Sequence, residues 1–182
     1  MRAVDIAVGG GWLAFWLFWI ATAARAKPDR SRWTRFAGLR VGLGLIALLL
    51  LRARAFRGRL VTHNPLLEGI GLALFAAGLA LAIWARVCIG RNWGTPMSQK
   101  TEPELVTSGP YRSIRHPIYA GILLALIGTS AAISLYWLIA AAVLAAYFVY
   151  SAIAEERYLV SQFPDAYPAY QRSTTMLIPF LF

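Results

Sequence analysis

Long apolar runs separated by arginine-bearing segments constrain this chain more than any other feature of its sequence. A helix needs about 20 mainly apolar residues to cross the roughly 30 Å hydrocarbon core of a bilayer, and the longer runs meet that requirement. We therefore predict an all-α fold, a polytopic transmembrane helical bundle with about five spans that is integral to the membrane. The runs occupy residues 6–24, 36–51, 66–89, 117–132 and 133–154.

Composition supports a bilayer environment over an aqueous one. The chain is 59% hydrophobic and 14% charged, against about 45–50% and about 25% in soluble domains. The formal net charge of +10 comes mainly from arginines between the apolar runs, where they would anchor the chain at anionic lipid. Most tryptophans lie inside or at the ends of those runs, as in an aromatic belt, so we expect membrane lipid as a partner and no nucleic acid.

The N-terminal run is interpreted as a membrane span. The letters "ATAARA" at 21–26 resemble a signal-peptide cleavage site, but only Arg2 precedes the run and Asp5 interrupts the charged region. The run is also long enough to span the bilayer. In the third run, Gly69, Gly71 and Gly78 are predicted points of close helix packing.

The polar segment 90–116 is too long for a passive connector and is expected to carry function. It leads into "GPYRSIRHPIYAG" at 109–121, in which Pro117 suits the first turn of a helix. After that helix, "GTSAAIS" at 128–134 leaves room only for a tight reversal. The last two apolar runs are therefore predicted to form an antiparallel hairpin.

This hairpin would bring two distant sets of polar side chains to one membrane face. Arg115 and His116 precede the first helix, and Glu155 and Glu156 end the second. Tyr147, Ser151, Glu155 and, more loosely, Tyr158 share one face of that second helix. Polar groups at membrane depth face a bundle or cavity, which predicts a pocket. The alternative is that the two glutamates only neutralise nearby arginines, namely Arg112, Arg115 and Arg157.

The distribution of basic residues predicts an N-out, C-in topology, with the 86–117 loop and the C-terminal tail in the cytoplasm. We divide the chain into N-terminal transmembrane helices (1–85) and a catalytic region (86–182). The path of residues 36–65 is left open, because this topology places Arg52, Arg54, Arg57 and Arg59 outside. The predicted inner basic residues are Arg25, Lys27, Arg30, Arg32, Arg35, Arg86, Arg91, Lys100, Arg112, Arg115, Arg157 and Arg172.

Several other kinds of site are disfavoured by the sequence. His63 lies in a different loop from His116, so no metal site is predicted. The single Cys88 offers neither a disulfide nor metal-ligand spacing. The glycines at 9–11 lie in an apolar run with no phosphate-binding context, which indicates packing.

Two segments together resemble a known family. "GRNWG…LVTSGPYRSIRHPIYAG", followed by "EERYLVSQFPDAYPAYQRSTTMLIP", is similar to the isoprenylcysteine carboxyl methyltransferases and their relatives among the phospholipid methyltransferases, over about residues 90–179. The resemblance implies a small helical membrane enzyme that transfers a methyl group from S-adenosyl-L-methionine to a lipophilic acceptor. It also implies a cofactor site at the cytoplasmic face.

The same resemblance implies the site residues. Arg115, His116 and Glu155 would be catalytic. A carboxylate acceptor would need only an orienting cation such as Arg115, whereas an amine would need a base such as His116 or a glutamate. The implied cofactor-binding residues are Leu105, Val106, Gly109, His116, Tyr119, Gly121, Glu155, Glu156, Tyr167 and Tyr170.

The acceptor itself stays open at this stage. We expect isoprenylcysteine-type O-methylation of a carboxylate, with N-methylation of a phospholipid amine or S-methylation of a thiol as alternatives. A nicotinamide-dependent membrane reductase and a non-catalytic membrane scaffold are further alternatives. Neither the oligomeric state nor the need for a general base follows from the sequence.

Overall fold

The computed structural model describes residues 2–23, 61–94 and 104–178. Within these ranges the chain is all-α, which confirms the predicted class. The predicted apolar run at 36–51 and the basic residues around it lie outside the described residues. Five helices are present in the described part, α1 (Ala3–Ala23), α2 (Pro65–Ile89), α3 (Pro117–Ala132), α4 (Trp137–Gln162) and α5 (Ala166–Ser173), with short 3-10 turns at Gly90–Asn92 and Gly109–Arg112.

Three of the described helices are long and apolar enough to cross a bilayer. They are α1, α2 with its 3-10 extension to Asn92, and α4. Helix α3 has 16 residues, and at about 1.5 Å per residue it is shorter than the hydrocarbon core. Three candidate spans in an integral membrane protein are therefore supported, and the count of five stays a prediction.

Local signals account for the helix starts. The Asn64 side chain caps α2 by accepting a hydrogen bond from the Leu66 backbone N–H at 3.0 Å, and Pro65 opens the helix. Pro117 opens α3, as predicted, and His116 before it has φ −123° and ψ 60°. A following proline disfavours helical backbone at this position. The functional residues of the hairpin therefore stand at a fixed helix boundary.

Helices α2 and α3 cross in close antiparallel contact through four glycines. A Cβ atom on Gly121 would lie 2.7 Å from the backbone N of Ala82, and Gly71, Gly78 and Gly128 are equally confined by the facing helix. The prediction of close packing is confirmed for Gly71 and Gly78. It is wrong for Gly69, where an added Cβ would meet nothing within 4 Å.

The end of the bundle remote from the site is held by polar contacts. Arg2 pairs with Asp5 at 3.0 Å and with Glu68 at 2.9 Å. Its guanidinium also reaches the carbonyl of Ile133 at 3.4 Å. Farther along α1, the Trp12 indole N–H donates to Thr129 Oγ1 at 3.1 Å. These contacts dock α1 against α2 and α3.

The predicted hairpin is present and is formed by α3 and α4, but the boundaries of α4 differ from the prediction. Helix α4 begins at Trp137 rather than at residue 133, and it continues to Gln162 rather than ending at 154. Residues 133–136 form the connection, in which the Ile133 carbonyl accepts a hydrogen bond from the Thr62 backbone N–H at 3.0 Å. At its other end, α4 continues past the apolar run through two polar turns.

The C-terminal tail returns to the start of α3. Thr175 forms a parallel bridge with Ile114, and the backbone N–H groups of Arg115 and His116 donate to Thr175 and Met176 at 2.8 and 3.0 Å. The tail is therefore fixed beside the two residues that end the functional loop. The predicted division at residues 85 and 86 falls inside α2 and stays a prediction.

Candidate active site

The mouth of the α3–α4 hairpin joins the polar residues that the sequence placed there. Arg115 Nε lies 2.7 Å from Glu156 Oε1, and His116 Nε2 lies 3.2 Å from the same oxygen. His116 Nδ1 lies 3.6 Å from Glu155 Oε2, and the Tyr119 hydroxyl donates to Glu155 Oε1 at 2.6 Å. The predicted convergence of the two segments is confirmed.

The two adjacent glutamates face different surroundings. Glu156 is buried, and its second oxygen accepts a hydrogen bond from Gln171 Nε2 at 2.8 Å. Arg115 and His116 occupy its first oxygen, so Glu156 is engaged on both oxygens by protein donors. Glu155 instead lines a cavity that is bounded by α1, α3, α4 and α5. The neutralisation alternative therefore describes Glu156 with Arg115, whereas Glu155 lies at the cavity.

Arg115 connects the hairpin to the tail. Besides Glu156, its guanidinium donates through Nη1 to the carbonyls of Thr174 at 2.5 Å and Gln171 at 3.3 Å. Nη2 forms no hydrogen bond with any residue of the described ranges. A planar two-point hold on an acceptor carboxylate would therefore displace one of these contacts. The predicted role of Arg115 in orienting an acceptor stays a prediction.

A stack of three rings fixes the polar groups of α3. The His116 and Tyr119 rings are parallel within 3° at 5.5 Å, and Tyr119 stacks on Phe148 of α4 at 4.4 Å. Stacked aromatic pairs of this kind stabilise one ring orientation. The Tyr119 hydroxyl and the His116 nitrogens are thus aimed at Glu155 and Glu156.

Tyrosines of the tail close one side of the cavity. Tyr167 is 1% exposed, and the Tyr170 hydroxyl donates to the Tyr111 carbonyl at 2.6 Å. Burial raises the pKa of Tyr170 to about 12, and it raises the pKa values of Tyr111 and Tyr167 well above the ordinary value. All three phenols therefore keep their protons at neutral pH, and Tyr170 uses its proton in the bond to Tyr111.

The cavity measures about 490 Å³ and has two kinds of surface. Its polar wall is formed by Arg115, His116, Tyr119, Glu155, Tyr158, Tyr167 and Tyr170. Its aromatic wall is formed by Trp16, Trp19 and Trp93, and aliphatic and phenylalanine side chains, namely Ile89, Leu105, Val106, Ile118, Ile122, Leu144, Phe148 and Leu159, complete the apolar lining.

Three predicted cofactor-binding residues do not line this cavity. Glu156 lies behind the polar wall, and Gly121 lies in the α2–α3 crossing. Gly109 has φ +59°, and a Cβ on it would meet Cys88 Sγ at 2.6 Å, so glycine is required there for backbone and packing reasons. The cofactor contacts predicted for these residues stay predictions. The other predicted site residues line the cavity, namely Leu105, Val106, Arg115, His116, Tyr119, Glu155, Tyr167 and Tyr170.

Sequence reasoning missed most of the aromatic wall. Trp16 and Trp19 come from α1, where tryptophans in an apolar run indicate a membrane belt rather than a site. Asn92 and Glu104 also line the cavity and are joined by a hydrogen bond of 2.9 Å. Asn92 and Trp93 belong to the "GRNWG" segment, which was a signal that could have located them.

Comparison with known proteins gives consistent results. The sequence model of a family described as phospholipid methyltransferase matches residues 67–166. The cobalt-zinc-cadmium resistance protein CzcN of Cupriavidus metallidurans is 34% identical over 119 residues, which are 64% of this chain and 50% of that protein. The protein-S-isoprenylcysteine O-methyltransferase of Schizosaccharomyces pombe is 31% identical over 114 residues, which are 60% and 48% of the two chains.

A solved structure is also similar. It is the eukaryotic intramembrane Ras methyltransferase, isoprenylcysteine carboxyl methyltransferase, with a TM-score of 0.49 and 24% identity over 83% of this chain and 54% of that one. The chain thus spans about half the length of the curated relatives named above.

Proposed function

Because the chain belongs to the phospholipid methyltransferase family, we propose that it is an integral membrane methyltransferase that uses S-adenosyl-L-methionine and a lipophilic acceptor. The observation that carries this proposal is the position of Glu155. Tyr119 and His116 hold its carboxylate at a cavity whose remaining lining is largely aromatic and aliphatic. One cavity thus offers an anionic anchor and an apolar surface.

The residues present fit the cofactor. The cavity volume falls within the range of about 300–1,000 Å³ that small-molecule sites occupy. Glu155 can accept hydrogen bonds from an ammonium group or from ribose hydroxyls, and the faces of Tyr167 and Tyr170 suit a cation. Leu105 and Val106 would contact the apolar part. When bound, the cofactor supplies a methyl group activated by its positively charged sulfur.

The histidine geometry favours an acceptor that needs no general base. His116 Nε2 lies 3.2 Å from Glu156 Oε1 and Nδ1 lies 3.6 Å from Glu155 Oε2, so both ring nitrogens face carboxylates of the protein. A carboxylate is already nucleophilic at neutral pH, and a thiol reacts once it has ionised. A phospholipid amine would need Glu155 as its base. A carboxylate acceptor is therefore our first proposal.

The name of the relative CzcN refers to metal resistance. Within the described residues, no group of three or more His, Cys, Asp or Glu side chains is arranged to hold an ion.

Calorimetry on the detergent-purified protein tests the proposed cofactor. We expect the wild-type protein and Asp165→Asn, which removes an exposed carboxylate at the start of α5, to bind S-adenosyl-L-methionine alike. Glu155→Gln should bind it at least tenfold more weakly. Binding of a nicotinamide cofactor instead would favour the reductase alternative, and binding of neither would favour a scaffold.

Transfer of a labelled methyl group tests the acceptor class. Membrane extracts would be incubated with the purified protein and the labelled cofactor, and the products treated with mild base. A methyl ester releases its label as methanol, whereas N-methyl and S-methyl products retain it. Label that survives the treatment would replace the carboxylate proposal with the amine or thiol alternative.

A further inference from the structure

A buried arginine, Arg86, lies directly behind the aromatic wall of the cavity. It occupies the last turn of α2 and is 3% exposed. Within residues 2–23, 61–94 and 104–178, no carboxylate forms an ion pair with it. A buried guanidinium without compensation is unfavourable. Its surroundings must therefore neutralise the charge in another way.

Two backbone carbonyls supply part of that compensation. Arg86 Nη1 donates to the carbonyl of Gly90, and Nη2 donates to the carbonyl of Thr22, each at 2.8 Å. Gly90 is the C-cap residue of α2, and Thr22 belongs to α1. The Gly90 carbonyl also accepts a hydrogen bond from the Trp93 backbone N–H at 3.3 Å, and it lies at the C-terminal end of α2, where the helix dipole is negative. One guanidinium thus joins α1 to the C-terminal end of α2.

The same guanidinium orders two tryptophans. Its carbon lies 4.5 Å from the centre of the Trp93 ring and 5.9 Å from that of Trp19. The two rings meet edge to face at 5.5 Å and 90°. Both line the cavity, whereas Arg86 does not. The angle of the aromatic wall is therefore set from behind by a residue outside the cavity.

We propose that Arg86 is a positioning residue that fixes the Trp19–Trp93 wall, and that this wall holds the apolar part of the methyl acceptor. The assignment to an acceptor rests on the function proposed above. Arg86 already interacts with the π system of Trp93, so a second cation at that ring is disfavoured. Glu155 and the tail tyrosines are then the partners of a cationic ligand, and the tryptophans contact an uncharged one.

The test uses 5-fluorotryptophan-labelled protein in lipid nanodiscs, observed by fluorine NMR. The Trp19 and Trp93 signals are assigned from Trp19→Phe and Trp93→Phe samples, and 1-decanol serves as an uncharged apolar probe. We expect decanol to shift both signals in the wild-type protein. Arg86→Lys, which keeps the charge but loses the planar two-point contact, should weaken this response about tenfold.

The control is Arg91→Lys, because Arg91 is exposed and lies in the 3-10 turn that follows α2. It should match the wild-type protein in decanol response. Calorimetry with S-adenosyl-L-methionine should give affinities within twofold for the wild-type protein, Arg86→Lys and Arg91→Lys. A general loss of structure would lower both affinities in Arg86→Lys, and that result would overturn the proposal.

A second variant removes the wall without altering the helix contacts. Trp93→Leu should lose the decanol response and keep cofactor affinity. Absence of decanol-induced shifts at Trp19 and Trp93 in the wild-type protein overturns the proposal, whatever the variants show. If the wild-type protein responds to decanol but does not bind the cofactor, the proposed function fails and the apolar site remains.

Discussion

At the scale of single residues, adjacent positions on one helix have separate tasks. Glu155 and Glu156 differ by about 100° around α4, because a helix has about 3.6 residues per turn. That rotation directs Glu155 to the cavity and Glu156 to Arg115, His116 and Gln171. The consequence is that similar substitutions at the two positions should affect different properties.

Substitution of each glutamate by glutamine separates ligand binding from stability. Glu155→Gln should weaken cofactor binding by about 1.5–3 kcal/mol, the range for a hydrogen bond to a charged group, with little change in thermal unfolding. Glu156→Gln should lower stability by about 3 kcal/mol, because Arg115 loses its buried partner. Calorimetry measures the cofactor affinity of both variants, and thermal unfolding measures their stability. The reverse pattern would place Glu156 at the ligand.

Arg115→Lys tests the connection between the hairpin and the tail. Lysine cannot contact Glu156 and the Thr174 carbonyl in one planar arrangement, so we expect the tail to loosen. The C-terminal segment should then be cut faster by a protease, and cofactor affinity should fall about tenfold. Arg112→Lys, at an exposed residue three positions earlier, is the matched control. Normal tail protection with lost turnover would instead support a direct role toward the acceptor.

The Tyr170 hydroxyl bond to Tyr111 makes a pH-dependent prediction. Tyr170→Phe should reduce stability by about 1 kcal/mol. Burial raises the pKa of Tyr170 to about 12 in the folded state, compared with about 10 for a free tyrosine. The contribution should therefore be constant between pH 7 and pH 9 and decline above about pH 10. Denaturation of both proteins across this range measures it, and a decline already below pH 9 would contradict the assignment.

At the scale of elements, the glycine crossing of α2 and α3 fixes where α3 begins relative to the rest of the bundle. Backbone atoms of one helix occupy the space in which side chains of the other would stand. Close contact of this kind is a common way to associate helices in membranes, where lipid is as apolar as the side chains. The crossing therefore sets the position of His116, the residue that precedes α3, relative to α2.

Alanine substitutions test this crossing directly. Gly78→Ala and Gly121→Ala should each destabilise the protein by about 1–3 kcal/mol, because the added methyl group overlaps facing backbone. Gly69→Ala should be neutral or slightly stabilising, since its Cβ meets nothing within 4 Å and alanine favours helix. Thermal unfolding in one detergent compares them. Equal effects at Gly69 and Gly78 would contradict the crossing.

At the scale of the whole molecule, basic residues collect at the end that carries the site. Arg86, Arg91, Arg112 and Arg115 lie at that end of the antiparallel helices, and the α3–α4 connection around Leu135 lies at the other. The tendency of cytoplasmic segments to be basic predicts a cytoplasmic site.

Cysteine labelling in intact cells tests this orientation. In a Cys88→Ser background, Leu135→Cys should react with a membrane-impermeant maleimide from outside, because Leu135 is exposed in the α3–α4 connection. Arg91→Cys should react only after the cells are permeabilised. Labelling of Arg91→Cys in intact cells would reverse the predicted topology.

The sequence by itself determined the helical class, the α3–α4 hairpin and the meeting of Arg115 and His116 with the glutamates. These follow from local information, namely apolar run length, a proline at a helix start and a short reversal. Only the tertiary structure decided which glutamate faces the cavity and why Gly121 is a glycine. The contacts of Arg86 with Trp19 and Trp93 were likewise visible only in the tertiary structure. Trp19 lies far from the other two residues in the chain, and no local sequence pattern records which faces of separate helices meet.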